Sequence, residues 1–252
     1  MSEYVLHQIY FSHFNEKGRW ALDYKGVPHR RKTVPPGQHR FHSRRLGGGG
    51  TLPVLVVNGE TFPGSDRIIA ELERLHPEPA LYPAGEDDRQ RALELESWMG
   101  EELGPQVRSA LFSDLLPETA LCRRVIGQGL GGPTRALQFV TFPVARPLVR
   151  RSLRADAEAG ARGREKTVAA MDRIEAELRP SGYLASDDFS VADLTAAALL
   201  APLVGPPQFQ AEWPDPWPER WEEFRSEHRG RPAWRYTEEI FARHRGESTE
   251  VR

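Results

Sequence analysis

The chain has 252 residues, of which 39% are hydrophobic, and a formal net charge of −2. That is enough apolar material for a sizeable core, which excludes wholesale disorder, and the near-balanced charge argues against nucleic acid as the main partner. The single cysteine, Cys122, excludes an intramolecular disulfide. No apolar run reaches the ~18 residues of a membrane span, and the opening MSEYVLHQIYF lacks the basic-then-apolar plan of a signal peptide, so a soluble, cytoplasmic protein is expected.

Residues 4–10 are β-branched and aromatic enough for a strand. A helix is predicted over 15–25, with Phe14, Gly18, Ala21 and Leu22 on one face and Gly26 and Pro28 ending it. Residues 30–34 suit a second strand. The stretch 35–50 reads as a loop, basic at HRFHSRR and glycine-rich at GGGG. The run PVLVV at 53–57 is followed by Asn58-Gly59 and then ETF, a strong hairpin signal because both turn positions favour φ > 0. Ser65 looks like the N-cap of a helix whose stripe is Ile68, Leu72 and Leu75.

The Pro- and charge-rich stretch HPEPALYPAGEDD, 76–88, reads as a linker, and beyond it the pattern is helical. Ala92, Leu95, Met99 and Leu103 form one stripe, and Val168, Met171, Ile174 and Leu178 another. A very apolar helix starts at Ser190, and a last one spans 232–244. Residues 123–155 are less regular and carry Pro143 and Pro147. Ser190 and Asp193 have the spacing of a capping box with Asp in the Glu place, and Phe189 stands where a hydrophobic staple would. The layout predicts an α/β domain (βαβ then ββα) over 1–78, a linker over 79–88 and an all-α helical bundle over 89–252.

Three stretches together resemble the soluble glutathione S-transferase family: FSHFNEKGRWAL at the first strand-to-helix corner, TLPVLVVNGETFPGSDRIIAEL in the middle of the α/β domain, and YLASDDFSVADLTAAALLAPL in the helical one. Their order and separation fit the family over nearly the whole chain, with 123–155 covered least. The resemblance implies a thioredoxin-like first domain, a homodimer, glutathione as co-substrate, and a hydrophobic small-molecule electrophile in a cleft of the helical domain. A detoxification enzyme without metal is expected, with membrane association unlikely. A non-catalytic ligand-binding or protein-interaction module on the same fold is the competing reading.

Site residues carry over one by one. Ser12 falls where serine-type members place the hydroxyl that donates to the thiol sulfur. Tyr10, two residues earlier, is the competitor, since other branches use a tyrosine at the end of the first strand, and a site with no catalytic hydroxyl is the third option. A cis peptide before Pro53 would let the backbone of Leu52 pair with the cysteinyl amide; a trans strand start is the alternative. Ser65 at a helix N-terminus suits the γ-glutamyl carboxylate as well as it suits a cap. The family's acidic residue before that serine is Gly64 here, leaving Asp66 as its substitute. The glycine loop, with Thr51 and Gln38, His39 and His42 nearby, is expected to hold the glycyl carboxylate. His39 and His42 have a metal-like i, i+3 spacing with no third ligand in sight.

Other signals are weighed against plainer readings. No cysteine occupies Ser12 to Asn15, which excludes thiol-redox exchange there, and no G-x-S-x-G elbow supports a hydrolase. His13 either tunes the site or faces solvent. Asn15 offers a further amide donor, and Arg19 resembles a structural arginine of the family. The arginine-dotted stretch 135–154 lines the cleft, meets a second subunit or lies on a membrane surface. The tryptophans of 212–221 pack on the helical core or form a lid.

Overall fold

The computed structural model describes residues 3–251. The first part runs β1 (Tyr4–Gln8), α1 (His13–Tyr24), β2 (Arg30–Thr33), α2 (His39–Arg45), β3 (Val54–Val57), β4 (Glu60–Pro63) and α3 (Ser65–Leu75). The sheet order is β2-β1-β3-β4, with β1 parallel to β2 and antiparallel to β3. This is the thioredoxin-like arrangement expected from the sequence. The hairpin turns as predicted, with Asn58 at φ 49° and Gly59 at φ 90°. Two elements differ. Residues 39–45 form a helix where a loop was expected. The N-cap of α3 is Gly64, at φ 93°, so Ser65 is the first helical residue and not the cap. The chain reverses sharply after β4, and a left-handed residue there favours glycine over serine.

The helical part comprises α4 (Glu86–Trp98), a π-helical turn (Met99–Leu103), α5 (Gly104–Leu115), α6 (Thr119–Ile126), α7 (Gly132–Leu153), α8 (Ala157–Glu177), α9 (Val191–Val204), α10 (Glu219–His228) and α11 (Pro232–His244). Helix α4 thus starts within the expected linker. The stretch 123–155 proves largely helical: α7 runs through both internal prolines. It can do so because most of its length is exposed, so carbonyls freed by Pro143 and Pro147 can reach water. Helix α9 is buried at every position, and the capping box between Ser190 and Asp193 forms. Asp193 also accepts from the Leu184 N–H at 2.9 Å and from the Tyr236 hydroxyl at 2.7 Å. No helix of the described residues is long and apolar enough to cross a membrane.

One core joins the two parts. Trp20 on α1 packs on Phe241 of α11, with ring centroids 4.6 Å apart, and its indole N–H donates to the His244 carbonyl at 2.9 Å. Nearly the whole of α1 is buried although it reads HFNEKGRWALDY. Its charges survive burial because each meets a partner. Lys17 meets Glu96 at 3.0 Å, Glu16 meets Arg19 at 2.7 Å and Arg245 at 2.6 Å, and Asp23 meets Arg31 at 2.7 Å and Arg245 at 3.0 Å. The C-terminal tail completes this network and runs beside the outer sheet edge, where the Val251 N–H donates to the His29 carbonyl at 2.8 Å.

Candidate functional site

A cleft of about 430 Å³ opens where the β1–α1 corner faces α5 and α7. Its floor on the α/β side is Ile9, Ser12, Thr51 and Leu52. The corner exists because β1 ends at Gln8 and the chain needs four residues, Ile9 to Ser12, to turn into α1. The Ser12 N–H closes that turn on the Ile9 carbonyl at 3.1 Å. Ser12 stands at the N-cap in extended conformation, yet its side chain makes no cap hydrogen bond. Its hydroxyl is therefore not spent on the helix, and the residue lines the cleft.

Asn15 braces the corner. It is fully buried; its Oδ1 accepts from the Ile9 N–H at 3.1 Å and its Nδ2 donates to the Leu52 carbonyl at 3.3 Å. Asn15 thereby ties the Ser12 turn to the Leu52–Pro53 peptide, which is cis. The Pro53 carbonyl in turn accepts from the Gly64 N–H at 3.0 Å, which anchors the start of α3 beside the same peptide. Arg19 reaches the Ser12 carbonyl at 3.4 Å and the Gln8 side chain at 2.7 Å, the structural position the sequence suggested.

His13 does not face solvent. It is 4% exposed, and its Nε2 lies 3.0 Å from the Gly104 carbonyl. Burial, reinforced by the Arg108 charge and opposed by the bond to Gly104, pushes its pKa down to about 3. The ring is neutral at physiological pH, so Nε2 carries the proton and donates. A Cβ on Gly104 would come within 2.9 Å of Phe14 Cε2, so the missing side chain lets the Phe14 ring seat against the start of α5.

The predicted site residues separate into two groups. Ser12, Thr51 and Leu52 share the cleft. Pro53, Ser65 and Asp66 lie alongside, at the cis peptide and the first turn of α3, and are not among its walls. Tyr10 is not a wall residue either; its ring lies on Gly129, where a Cβ would come within 2.7 Å of its Cγ. His39 borders the cleft, whereas His42 turns away to meet His7 at 2.8 Å. Among the described residues, no group of three or more His, Cys, Asp or Glu is placed to hold a metal ion.

The opposite wall is mostly apolar. Leu111 and Phe112 of α5, Phe142 and Leu153 of α7, and Trp213 line it. Helix α7 thus does line the cleft, while its other face leaves Val140 and Val144 exposed. Trp213 stacks between Phe209 and Trp217, with centroids 5.4 and 5.3 Å away, and joins the packed loop to the cleft wall. Sequence reading passed over Arg108, which also lines the cleft. An arginine inside the run VRSALF carries no pattern that sets it apart from a solvated helix face.

Comparison with known proteins agrees with this geometry. The family model described as the glutathione S-transferase N-terminal domain matches residues 6–80, and that described as the C-terminal domain matches 157–226. No curated protein matches the sequence. Among solved structures, FzlA from C. crescentus is 21% identical with a TM-score of 0.58, covering 93% of this chain and 91% of that one. The beta-etherase LigF from Sphingobium sp. strain SYK-6 is 20% identical with a TM-score of 0.58, covering 94% and 98%. The glutathione S-transferase CsGST63524 of Ceriporiopsis subvermispora, solved in complex with glutathione, is 16% identical with a TM-score of 0.63, covering 96% and 97%. At these identities the structural likeness speaks for the fold. The two domain models, matched in chain order over more than half of the sequence, speak for descent: the chain belongs to the glutathione S-transferase family.

Proposed function

We propose that this protein is a cytoplasmic, homodimeric glutathione transferase that ionises the tripeptide thiol with Ser12 and presents it to an electrophile in the apolar cleft. The observation that carries this reading is the Ser12 side chain, left out of the helix cap and placed in the cleft wall with Thr51 and Leu52. The Ser12 hydroxyl donates to the sulfur and favours its ionised form. A hydrogen bond to a charged acceptor is worth about 1.5–3 kcal/mol, and each pKa unit is about 1.4 kcal/mol. One such bond lowers a thiol pKa by about one to two units, which multiplies the thiolate present at neutral pH.

Other residues orient the tripeptide. The Leu52 main chain, whose carbonyl accepts from Asn15 Nδ2, pairs with the cysteinyl amide. Ser65 and the amides of the first turn of α3 receive the γ-glutamyl carboxylate, with Asp66 facing its ammonium. Thr51 and the glycine loop before it take the glycyl carboxylate. The fold neighbour solved with glutathione supports this choice of thiol. The apolar wall excludes water and receives the electrophile, consistent with a role in detoxification.

A glutathione column and one variant test the reading. The wild-type protein is retained and eluted by free glutathione. Ser12→Ala is still retained but loses about 10- to 100-fold in kcat/KM for thiol conjugation, the kinetic equivalent of that one bond. Unchanged kcat/KM in Ser12→Ala, or no retention of the wild type, defeats it. A non-catalytic module that binds apolar ligands is the second reading, favoured by Gly64 in the place of the family's acid and by a loop offering only glycines. It predicts thermal stabilisation by hydrophobic compounds and none by glutathione.

A further inference from the structure

Arg108 projects from α5 into the cleft. Its Nε is buried and has no hydrogen-bond partner among the described residues. Its guanidinium carbon stands 6.0 Å over the Phe14 ring, the aromatic next to His13. Burial lowers its pKa, and the charge of Arg154, of the same sign, lowers it further. Lys17, Arg19, Arg31 and Arg245 show how this chain treats a buried cation: each is given a carboxylate within 3.0 Å. Arg108 is half-buried, not sealed, and no carboxylate of the described residues lies within ion-pair reach of it, so its guanidinium is left to pair with an anion that enters the cleft.

The rest of the cleft sharpens the point. Its charged and titratable walls are Arg40, Arg108, His13 and His39, and neither aspartate nor glutamate is among them. The Arg108 charge adds to burial in pushing down the pKa of both His13 and His39, so its field reaches both rings. Around it stand Phe112, Phe142 and Trp213. A low-dielectric pocket with one sign of charge concentrates ligands of the other sign. The planar guanidinium fork matches a carboxylate in particular.

We infer that the electrophile taken by this cleft is an anionic one, an apolar or aromatic body bearing a carboxylate, and that Arg108 is the side chain that holds the carboxylate. The inference rests on the reading of the cleft as the electrophile site. The apolar body lies against the α5 and α7 aromatics, and the carboxylate completes the guanidinium's missing pair. The tripeptide carries carboxylates too, so the test separates the two sources.

Calorimetric titrations without thiol, using 1-naphthylacetate and its uncharged isostere 1-naphthylacetamide, decide the matter. The wild type binds the carboxylate at least tenfold more tightly than the amide, and added salt shrinks the ratio. Arg108→Gln abolishes the preference while leaving amide affinity within about twofold, and Arg108→Lys keeps part of it. Equal binding of the two probes by the wild type, binding of neither, or a preference that survives in Arg108→Gln overturns the inference. A tenfold loss of glutathione affinity in Arg108→Gln with naphthylacetate unchanged also overturns it, by assigning the guanidinium to the tripeptide. Because the naphthyl titrations contain no thiol, a wild type that ignores glutathione defeats the proposed activity and leaves this comparison standing.

Discussion

Ser12 and His13 are neighbours with opposite environments. Both border the cleft, but the serine side chain makes no bond to its helix, whereas the histidine is almost wholly buried, bonded to the Gly104 carbonyl of α5 and held neutral. The histidine therefore sets a cost on acidification. Its folded pKa is about 3, against about 6.5 in an unfolded chain. Between those values the unfolded state binds the extra proton, so stability rises with pH and the full contribution is present only above about 6.5. Glu16 acts in the same direction in a lower window: burial alone would raise its carboxyl, but Arg245 and Arg19 hold it at about 2. Its contribution is complete above the unfolded value of about 4.3 and is lost as pH falls toward 2. Urea unfolding at pH 7.5 and pH 5 isolates the histidine. The wild type loses stability on going to pH 5, and His13→Gln, which keeps a donor for the Gly104 carbonyl, loses less. His7, His29, His39 and His244 are also pushed down by burial, so a reduced slope is expected and not a flat one. The same drop in both proteins would show that His13 titrates normally.

At the level of elements, the junction between α1 and α5 is set by a glycine. The π-helical turn over Met99–Leu103 delivers the Gly104 carbonyl to His13, and the bare Cα admits Phe14. Gly104→Ala overpacks this junction and costs about 1–3 kcal/mol of stability. Because Phe14 is also a cleft wall, the substitution disturbs ligand binding too, and adding Phe14→Leu restores most of the loss. A stable Gly104→Ala protein with unaltered binding would contradict this account of the junction. Legibility from sequence follows the same physical divide. The hairpin at Asn58-Gly59, the buried helix α9 and its Ser190–Asp193 box were readable because their signals are local: φ requirements, a run of apolar residues, a capping spacing. Helix α2 was not, since His39–Arg45 has no apolar stripe and is fixed by contacts such as His42 with His7. Helix α7 was obscured by prolines, which an exposed helix tolerates at less cost than a buried one. Ser12 stands out at the corner in the sequence, whereas Asn15 and His13 each depend on a bond to a residue 37 or more positions away, Leu52 and Gly104, and Arg108 on an interdomain cleft.

For the whole molecule, the question is whether the α/β part and the helical part are two cooperative units or one. Helix α1 carries the answer, since it belongs to the sheet domain by sequence and to the helical domain by burial. Trp20 is packed between Phe189 and Phe241, Lys17 is paired with Glu96, and Arg245 reaches back to Glu16 and Asp23. Separating the domains would expose that tryptophan and strip a buried glutamate of one of its two cations, a change of the kind that costs about 3–5 kcal/mol. The cleft has the same dual origin, with Ser12 and Leu52 on one side and Arg108 and Phe112 on the other. Ligand bound by the sheet domain must therefore stabilise the helices as well. Glutathione at about 100 times its dissociation constant adds about 2.7 kcal/mol, or roughly 5–11 °C for a chain of this size. Melting followed by tryptophan fluorescence and by far-ultraviolet circular dichroism should give a single coincident transition, displaced as a whole when glutathione is present. Most of the helical signal comes from the C-terminal part, so a shift seen in one probe alone would mean that α1 does not couple the two halves.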